Sequence, residues 1–406
     1  MTVGIQSNGL KKVLYFFPLN PADRNSGSIS RALSLLQYFR DRGYHVDFIS
    51  KEHWGNYTPE SKASFENARL ANSLHVFRRK PVKTNPLTYF FGYKIGHLLY
   101  ERQLKTPKGS IPNHTTWHLR RQFDAMLQRT RYDYVIISYA YWAHLVKDNP
   151  FLAGATTIID THDLLSAQHQ NEEGFDRSVA IGDELYRLSF FDRIWTISVD
   201  ETYLFSQFFP DRVDLVPMMI KAPDIELPPM QQRRYDLLYV ATDNPHNLRS
   251  ASWFFTEVYP KLDKNLRICA IGTIVPHLPE DLPNLEKISF APDLRDYYSQ
   301  AKIAICPMLS GTGVKIKVVE AMAYQLPVVC NERGIDGLPD KTRNGCSVTN
   351  DPVAFADAIA TLLNDNNFYQ QQSRWAFECF KNNFERAAVY QKLDNILENI
   401  AHGKSY

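Results

Sequence analysis

Between residues 302 and 330 the chain reads KIAICPMLSGTGVKIKVVEAMAYQLPVVC. A short apolar run, KIAICPM, passes through a loop holding Ser310, Gly311, Thr312 and Gly313 into a helical stretch. Glycines at such a turn let backbone N–H groups approach a ligand closely, and the start of a helix offers those groups to phosphate. Lys315 and Lys317 add charge near that start, and Glu320 lies about one turn further in. Because Ala321, Met322 and Ala323 follow it on the apolar face, the Glu320 carboxylate needs a partner, and a ribose diol suits it. Spacing alone favours a plain Gly-rich turn with two solvated lysines and a surface glutamate.

A second group, DTHD (160–163), closes the run TTIID and places His162 and Asp163 at a strand end. A histidine there can contact a ligand or be purely structural. Gly27 and Ser28 open the helical run ISRALSLLQYFRDRG, either to let a ligand approach the backbone or as a simple N-cap. His246 and Asn247, just past the run YDLLYVA, are placed to face phosphates, and Gly272 and Thr273, after LRICAIG, to line a base pocket.

These residues need strands that end together. VLYFFPL (13–19), the helix after it with Ile29, Leu33, Leu36, Tyr38 and Phe39 near helical spacing, and HVDFIS form a strand, helix, strand unit. YDYVIIS (132–138), TTIID (156–160), DRIWTIS (192–198) and VDLVP (213–217) continue it, with Ser198 and Glu201 as a capping signal. The periodicity then stops in KAPDIELPPMQQRR, and a second series follows: YDLLYVA (235–241), LRICAIG (266–272), KIAICPM (302–308) and LPVVC (326–330). The expected organisation is an N-terminal Rossmann-like domain over 1–217, an interdomain linker over 218–234, a C-terminal Rossmann-like domain over 235–384, and a helix over 385–406 returning to the first domain. Ligands of such open parallel sheets sit at the carboxyl ends of the strands.

GTGVKIKVVEAMAYQLPVV resembles the donor-site signature of retaining family-four glycosyltransferases (glycosyl transferases group 1), usually written E-x7-E followed by A-M-A-x-G-x-P-V-V. The resemblance implies an α/β GT-B fold, two Rossmann-like domains facing across a cleft, and transfer of a sugar from a nucleotide-sugar donor with retention of configuration. It implies that Glu320 holds the nucleotide ribose and that Gly311, Thr312 and Gly313 lie against the pyrophosphate and sugar. DTHD is similar to the family's histidine-aspartate pair, which makes His162 the N-domain contact to the sugar or acceptor. Departures bear on the donor contacts: Thr312 stands where the first Glu of the signature belongs, and TDNPHNLRSASWFF replaces the Arg and Lys that commonly neutralise the diphosphate. That role moves to Lys315 or Lys317, with Arg249 in reserve. No D-x-D element ends a strand, so neither metal nor cofactor is expected.

The 406 residues exceed what one hydrophobic core usually serves, and charged residues at 22% with a net charge of +2 exclude a disordered or fibrous chain. Five scattered cysteines without a C-x-x-C pair read as reduced, not zinc-bound. No signal-like or membrane-spanning run is evident, giving an expected cytoplasmic location. Residues 76–121, however, carry ten basic residues against Glu101 alone, interleaved with Phe77, Tyr89, Phe90, Phe91, Tyr93, Tyr100 and Trp117. Partners expected from this are a nucleotide-sugar donor, a glycan or lipid-linked acceptor and peripheral contact with an anionic membrane, with no nucleic acid. Two other readings compete: a catalytically silent relative that binds a partner enzyme or glycan, and a nucleotide-sugar 2-epimerase using His162, Asp163 and Glu332.

Overall fold

The computed structural model describes residues 10–23, 27–104, 106–152, 154–170, 172–311, 313–401 and 403. The chain divides into two compact units, one of Met1–Thr196, Thr202–Leu215 and Ile396–Tyr406, the other of Ile197–Glu201 and Val216–Asn395.

The first unit holds a seven-stranded parallel sheet in the order β3-β2-β1-β4-β5-β6-β7. Its strands are β1 (Lys12–Phe16), β2 (His45–Lys51), β3 (Ser73–Phe77), β4 (Tyr134–Ser138), β5 (Thr156–Asp160), β6 (Arg193–Thr196) and β7 (Val213–Leu215). Val13 of β1 aligns with Val46 of β2 on one side and Tyr134 of β4 on the other. The topology therefore reverses between β1 and β4, and the chain folds as a Rossmann-like domain. β3 is an additional strand that the apolar pattern does not announce. The helix Gly27–Asp41 buries Ile29, Ala32, Leu35, Leu36, Tyr38 and Phe39, and Arg31 with them, whereas Leu33 is only partly covered. Gly43, with φ of +73°, ends that run by donating its N–H to the Arg40 carbonyl.

The second unit holds a six-stranded parallel sheet, β10-β9-β8-β11-β12-β13. These strands are β8 (Tyr235–Val240), β9 (Ile268–Ile271), β10 (Leu285–Ile288), β11 (Ala301–Cys306), β12 (Val328–Cys330) and β13 (Cys346–Val348). Alternation along each strand splits its side chains between two apolar layers: Ala304 and Cys306 of β11 face one, Ile303 and Ile305 the other. Burial on both faces explains the continuous apolar runs in the sequence. The direction of winding again reverses at the first strand, between β8 and β11. In the proline-rich stretch expected as a linker, Met218 and Met219 are buried and Ile220 bridges Glu385, so this segment lies along the second unit. In the stretch expected as the tail helix, Arg386–Ala401 is helical, preceded by the helix Asn366–Asn383, and residues from Ile396 on group with the first unit. All five cysteines are free, four of them buried.

Candidate active site

The reversal point of the second sheet gathers most of the residues singled out in its sequence. After β8, Asn244 caps the helix Pro245–Trp253 by accepting the Asn247 N–H at 2.9 Å. This places His246 and Asn247 in the first turn. His246 Nδ1 lies 2.8 Å from the Ser310 hydroxyl in the loop after β11, and Gly311, with φ of +97°, sits against the same imidazole. That loop is fastened from below: Leu309 donates its N–H to Ser250 Oγ and Met308 donates its own to the buried Asn331. Gly313, with φ of +74°, turns the chain toward the helix Ile316–Ala323. Thr312 lies outside the described residues.

The two lysines of that helix start are not equivalent. Lys315 is buried and donates to the Gly313 carbonyl at 2.6 Å, and burial lowers its pKa. It braces the turn. Lys317 instead donates to Asn247 Oδ1 at 3.0 Å with its ammonium over the Tyr239 ring. Asn247 in turn donates to Thr242, so Lys317 is held directly between β8 and β11 beside His246 and Ser310.

Glu320 lies one turn along the same helix face. Its Oε2 accepts from the Tyr298 hydroxyl at 3.1 Å, and Tyr298 is stacked on Tyr324 with ring centres 5.1 Å apart. Burial raises the Glu320 pKa, partly offset by the Tyr298 bond. A half-buried carboxylate with one side-chain donor among the described residues has room for more partners, and two vicinal hydroxyls would stabilise its charge. Gly272 and Thr273 follow β9. A Cβ at Gly272, where φ is +116°, would run into the Ala241 carbonyl, so only glycine permits the loops after β8 and β9 to lie this close. Thr273 ties them further, donating to Asp243 Oδ1 at 2.8 Å and accepting the Asp243 N–H at 3.0 Å. Arg249 is exposed. Glu332 opens the short turn Glu332–Ile335 after β12 and is exposed as well.

In the first unit, a buried network stands at the carboxyl ends of β1, β4 and β5. Arg31 donates to Asp160 through Nε and Nη2 at 2.8 and 2.5 Å, and both side chains are almost wholly buried. Burial alone would push the Asp160 carboxyl up, but the Arg31 guanidinium and His162 overcome it and hold the carboxyl well below the usual range. His162 Nε2 lies 2.9 Å from Asp160 Oδ2 and 3.0 Å from Ser138 Oγ. The other ring nitrogen, Nδ1, is buried and has no hydrogen-bond partner among the described residues. The ring is stacked on Tyr139, centres 4.3 Å apart, with Phe17 at 5.5 Å. Both His162 and Tyr139 hold positive φ, +63° and +66°, a conformation that costs energy for non-glycine residues and concentrates at functional sites. Ser28, in the first turn of its helix, hydrogen-bonds Tyr139, and Asp163 lies near enough to act on the same phenol. Arg31, Asp160 and Tyr139 were not singled out by sequence reasoning. Arg31 did carry a signal, a lone charge among the apolar positions of its helix.

Residues 234–365 match the family model described as glycosyl transferases group 1. A Klebsiella pneumoniae protein described as an uncharacterized 44.6 kDa protein in the cps region is 22% identical over 65% of this chain and 74% of its own length. Among solved structures, the sucrose-phosphate synthase of Thermosynechococcus elongatus superposes with a TM-score of 0.68 at 13% identity, covering 97% of this chain and all of the other. Anabaena Alr3699/HepE, in complex with UDP and glucose, superposes with a TM-score of 0.65 at 14% identity over 96% of this chain and all of the other. No described helix is long and apolar enough to cross a membrane. The whole chain thus has the GT-B fold, and residues 234–365 match the model of the glycosyl transferases group 1 family.

Proposed function

We propose that this protein is a glycosyltransferase that moves a sugar from a nucleoside-diphosphate donor to a glycan or lipid-linked acceptor, with retention of configuration, in surface polysaccharide or glycoconjugate assembly. The observation that carries this reading is the convergence of His246, Ser310, Gly311 and Lys317 at the reversal point of the second sheet, inside the segment that matches the family. The UDP complex of Anabaena Alr3699/HepE supports a nucleoside diphosphate, and the cps-region relative supports a polysaccharide setting.

The chemistry follows from charge. As the sugar leaves, the diphosphate gains negative charge, and Lys317 with the N–H groups around Gly311 is placed to meet it without a metal. Glu320 binds the ribose hydroxyls, and the donor base lies near Gly272 and Thr273. Retention needs no carboxylate nucleophile if the departing phosphate draws the proton from the acceptor hydroxyl on the same face. His162, fixed by Asp160 and Ser138, turns Nδ1 toward a hydroxyl of the sugar or acceptor, with Asp163, Ser28 and Gly27 on the acceptor side. The protein works at the cytoplasmic face of an anionic membrane.

Release of nucleotide from UDP-, GDP- and dTDP-sugars, without acceptor and with a chelator present, is the direct test. One donor class should be hydrolysed. Lys317→Ala should lower kcat about a hundredfold while changing KM little, since its charge is needed most in the transition state. No nucleotide release from any donor, or loss of activity only on chelation, would contradict the reading.

A further inference from the structure

At the carboxyl end of β2, in the first unit, the side chain of Lys51 is 2% exposed. Its ammonium lies 4.6 Å from the centre of the Trp54 ring and 5.2 Å from that of Trp142. Among the described residues no carboxylate and no hydrogen-bond acceptor is paired with it. Buried lysines are normally paired, because desolvating an ammonium is expensive. Burial and then Arg79 push its pKa down to about 8.

The surroundings make the imbalance larger. Lys51 aligns with Phe77, the last residue of β3, so Arg78 and Arg79 leave the sheet next to it. His114, in ring contact with both Trp54 and Trp142, has its pKa driven down to about 4 by burial, then by Lys51 and Arg79. Arg79 also lines a cavity of about 560 Å³ with Glu101, Arg102, Asn113, Thr115 and Thr116. The Thr116 hydroxyl is committed to the Arg79 carbonyl at 2.7 Å, whereas the buried Thr115 hydroxyl has no hydrogen-bond partner among the described residues. Glu101, the one carboxylate of this lining, pairs with His97 at 3.3 Å. Cations without counter-charge, an idle hydroxyl and a polar cavity at the end of a parallel sheet together lack an anion.

We infer that Lys51, Arg79 and Thr115 form a subsite for a phosphate group carried by the acceptor. This rests on the glycosyl-transfer reading for the word acceptor, but the anion site itself does not. A phosphate brought to Lys51 would supply its missing counter-charge, and Arg79 would accompany it from the cavity side. The acceptor would thereby be anchored in the first unit, apart from the donor diphosphate held near Lys317 in the second.

Because Trp54 and Trp142 flank the ammonium, tryptophan fluorescence should report binding. Titration with inorganic phosphate should give a saturable change that sodium chloride at equal ionic strength does not. Lys51→Met and Arg79→Gln should each weaken it about tenfold or more, Lys51→Arg less, and Lys317→Ala not at all. Lys51→Met should also melt no lower than the parent, since it removes an unpaired buried charge. Glucose 6-phosphate and farnesyl diphosphate, as a soluble ester and a lipid diphosphate, serve as competitors: displacement of phosphate by either supports the subsite, and the tighter one identifies the source. The inference is overturned by no saturable change, by a response that persists in both Lys51→Met and Arg79→Gln, by one lost only in Lys317→Ala, or by failure of both competitors. UDP binding, measured separately, decides the donor reading independently.

Discussion

Glu320 is half-buried and Asp160 fully buried, and their surroundings drive the two acids in opposite directions. Burial dominates at Glu320, so its folded-state pKa lies above the unfolded value. The folded protein holds that proton more tightly, and the ionised side chain costs stability once the pH rises through the folded pKa. Glu320→Gln should therefore melt above the parent at neutral pH without ligand, and the gap should close near pH 4, where both states are protonated. The same substitution should weaken nucleotide binding about ten- to a hundredfold, a charge-assisted hydrogen bond being worth about 1.5–3 kcal/mol. Calorimetry of both proteins across pH measures the pair of effects; an unchanged nucleotide affinity would remove Glu320 from the donor site. At Asp160 the Arg31 pair and His162 outweigh burial, and the folded pKa is depressed. Its stabilisation is present above the ordinary carboxylate pKa and is lost as the pH falls below it. Asp160→Asn leaves Arg31 buried without its charge and should cost about 3–5 kcal/mol in denaturant unfolding at pH 7. A cost under about 1 kcal/mol would mean that Arg31 finds another partner.

At the scale of elements, the stretch from Pro86 to Leu104 decides how the basic aromatic segment is used. It runs as helix, with a wider turn over Phe90–Lys94, and is capped by Asn85. One face packs inward: Tyr93 is buried against His97 and Trp117, and Gly96 leaves room for the Trp117 ring. The opposite face presents Leu87, Phe90, Phe91, Ile95, Leu98 and Leu99 to solvent, beside Lys94 and Arg102. Seven of the sixteen exposed large apolar side chains among the described residues fall between Val82 and Leu99. Such a concentration on one helix face, rimmed by cations, fits an anionic lipid surface better than water. Flotation with anionic vesicles should carry the protein up at low salt and release much of it at about 0.5 M salt. Phe91→Ser with Leu98→Ser should abolish flotation without changing the fold, since both side chains are exposed. Protein that stays in solution with every vesicle would show that this face serves another partner.

Each unit of the molecule closes its own core around its own parallel sheet, and each reverses winding at its first strand. The reversal points are where polar groups are held without crowding by crossover helices, and both candidate sites stand there. A nucleoside diphosphate held only by the second unit should stabilise that unit selectively. Hydrogen exchange with and without UDP should then show added protection in the loops after β8 and β11 and little in β1 and β2. Equal protection of both units would contradict a donor site confined to residues of the second.

The central strands were legible because burial on both faces demands continuous apolar runs, as in IAIC of β11 and VIIS of β4. β3, β10 and β13 escaped for the complementary reason: all three lie at sheet edges, are short and are partly exposed, so SLHVF, LEKI and CSV carry little apolar signal. Glu320, the Gly311 loop and His162 could be named from local spacing and family resemblance, since each sits within a contiguous motif. Which lysine faces the donor could not be read this way. Lys315 and Lys317 are two residues apart and alike in type, and only the turn at Gly313 and the position of Asn247, seventy residues earlier, separate a brace from a candidate diphosphate contact. The pairings of Arg31 with Asp160, Tyr298 with Glu320 and Lys51 with the rings of Trp54 and Trp142 likewise belong to the tertiary structure. Their energies depend on burial and on partners contributed by different elements, and no local pattern of residues encodes either.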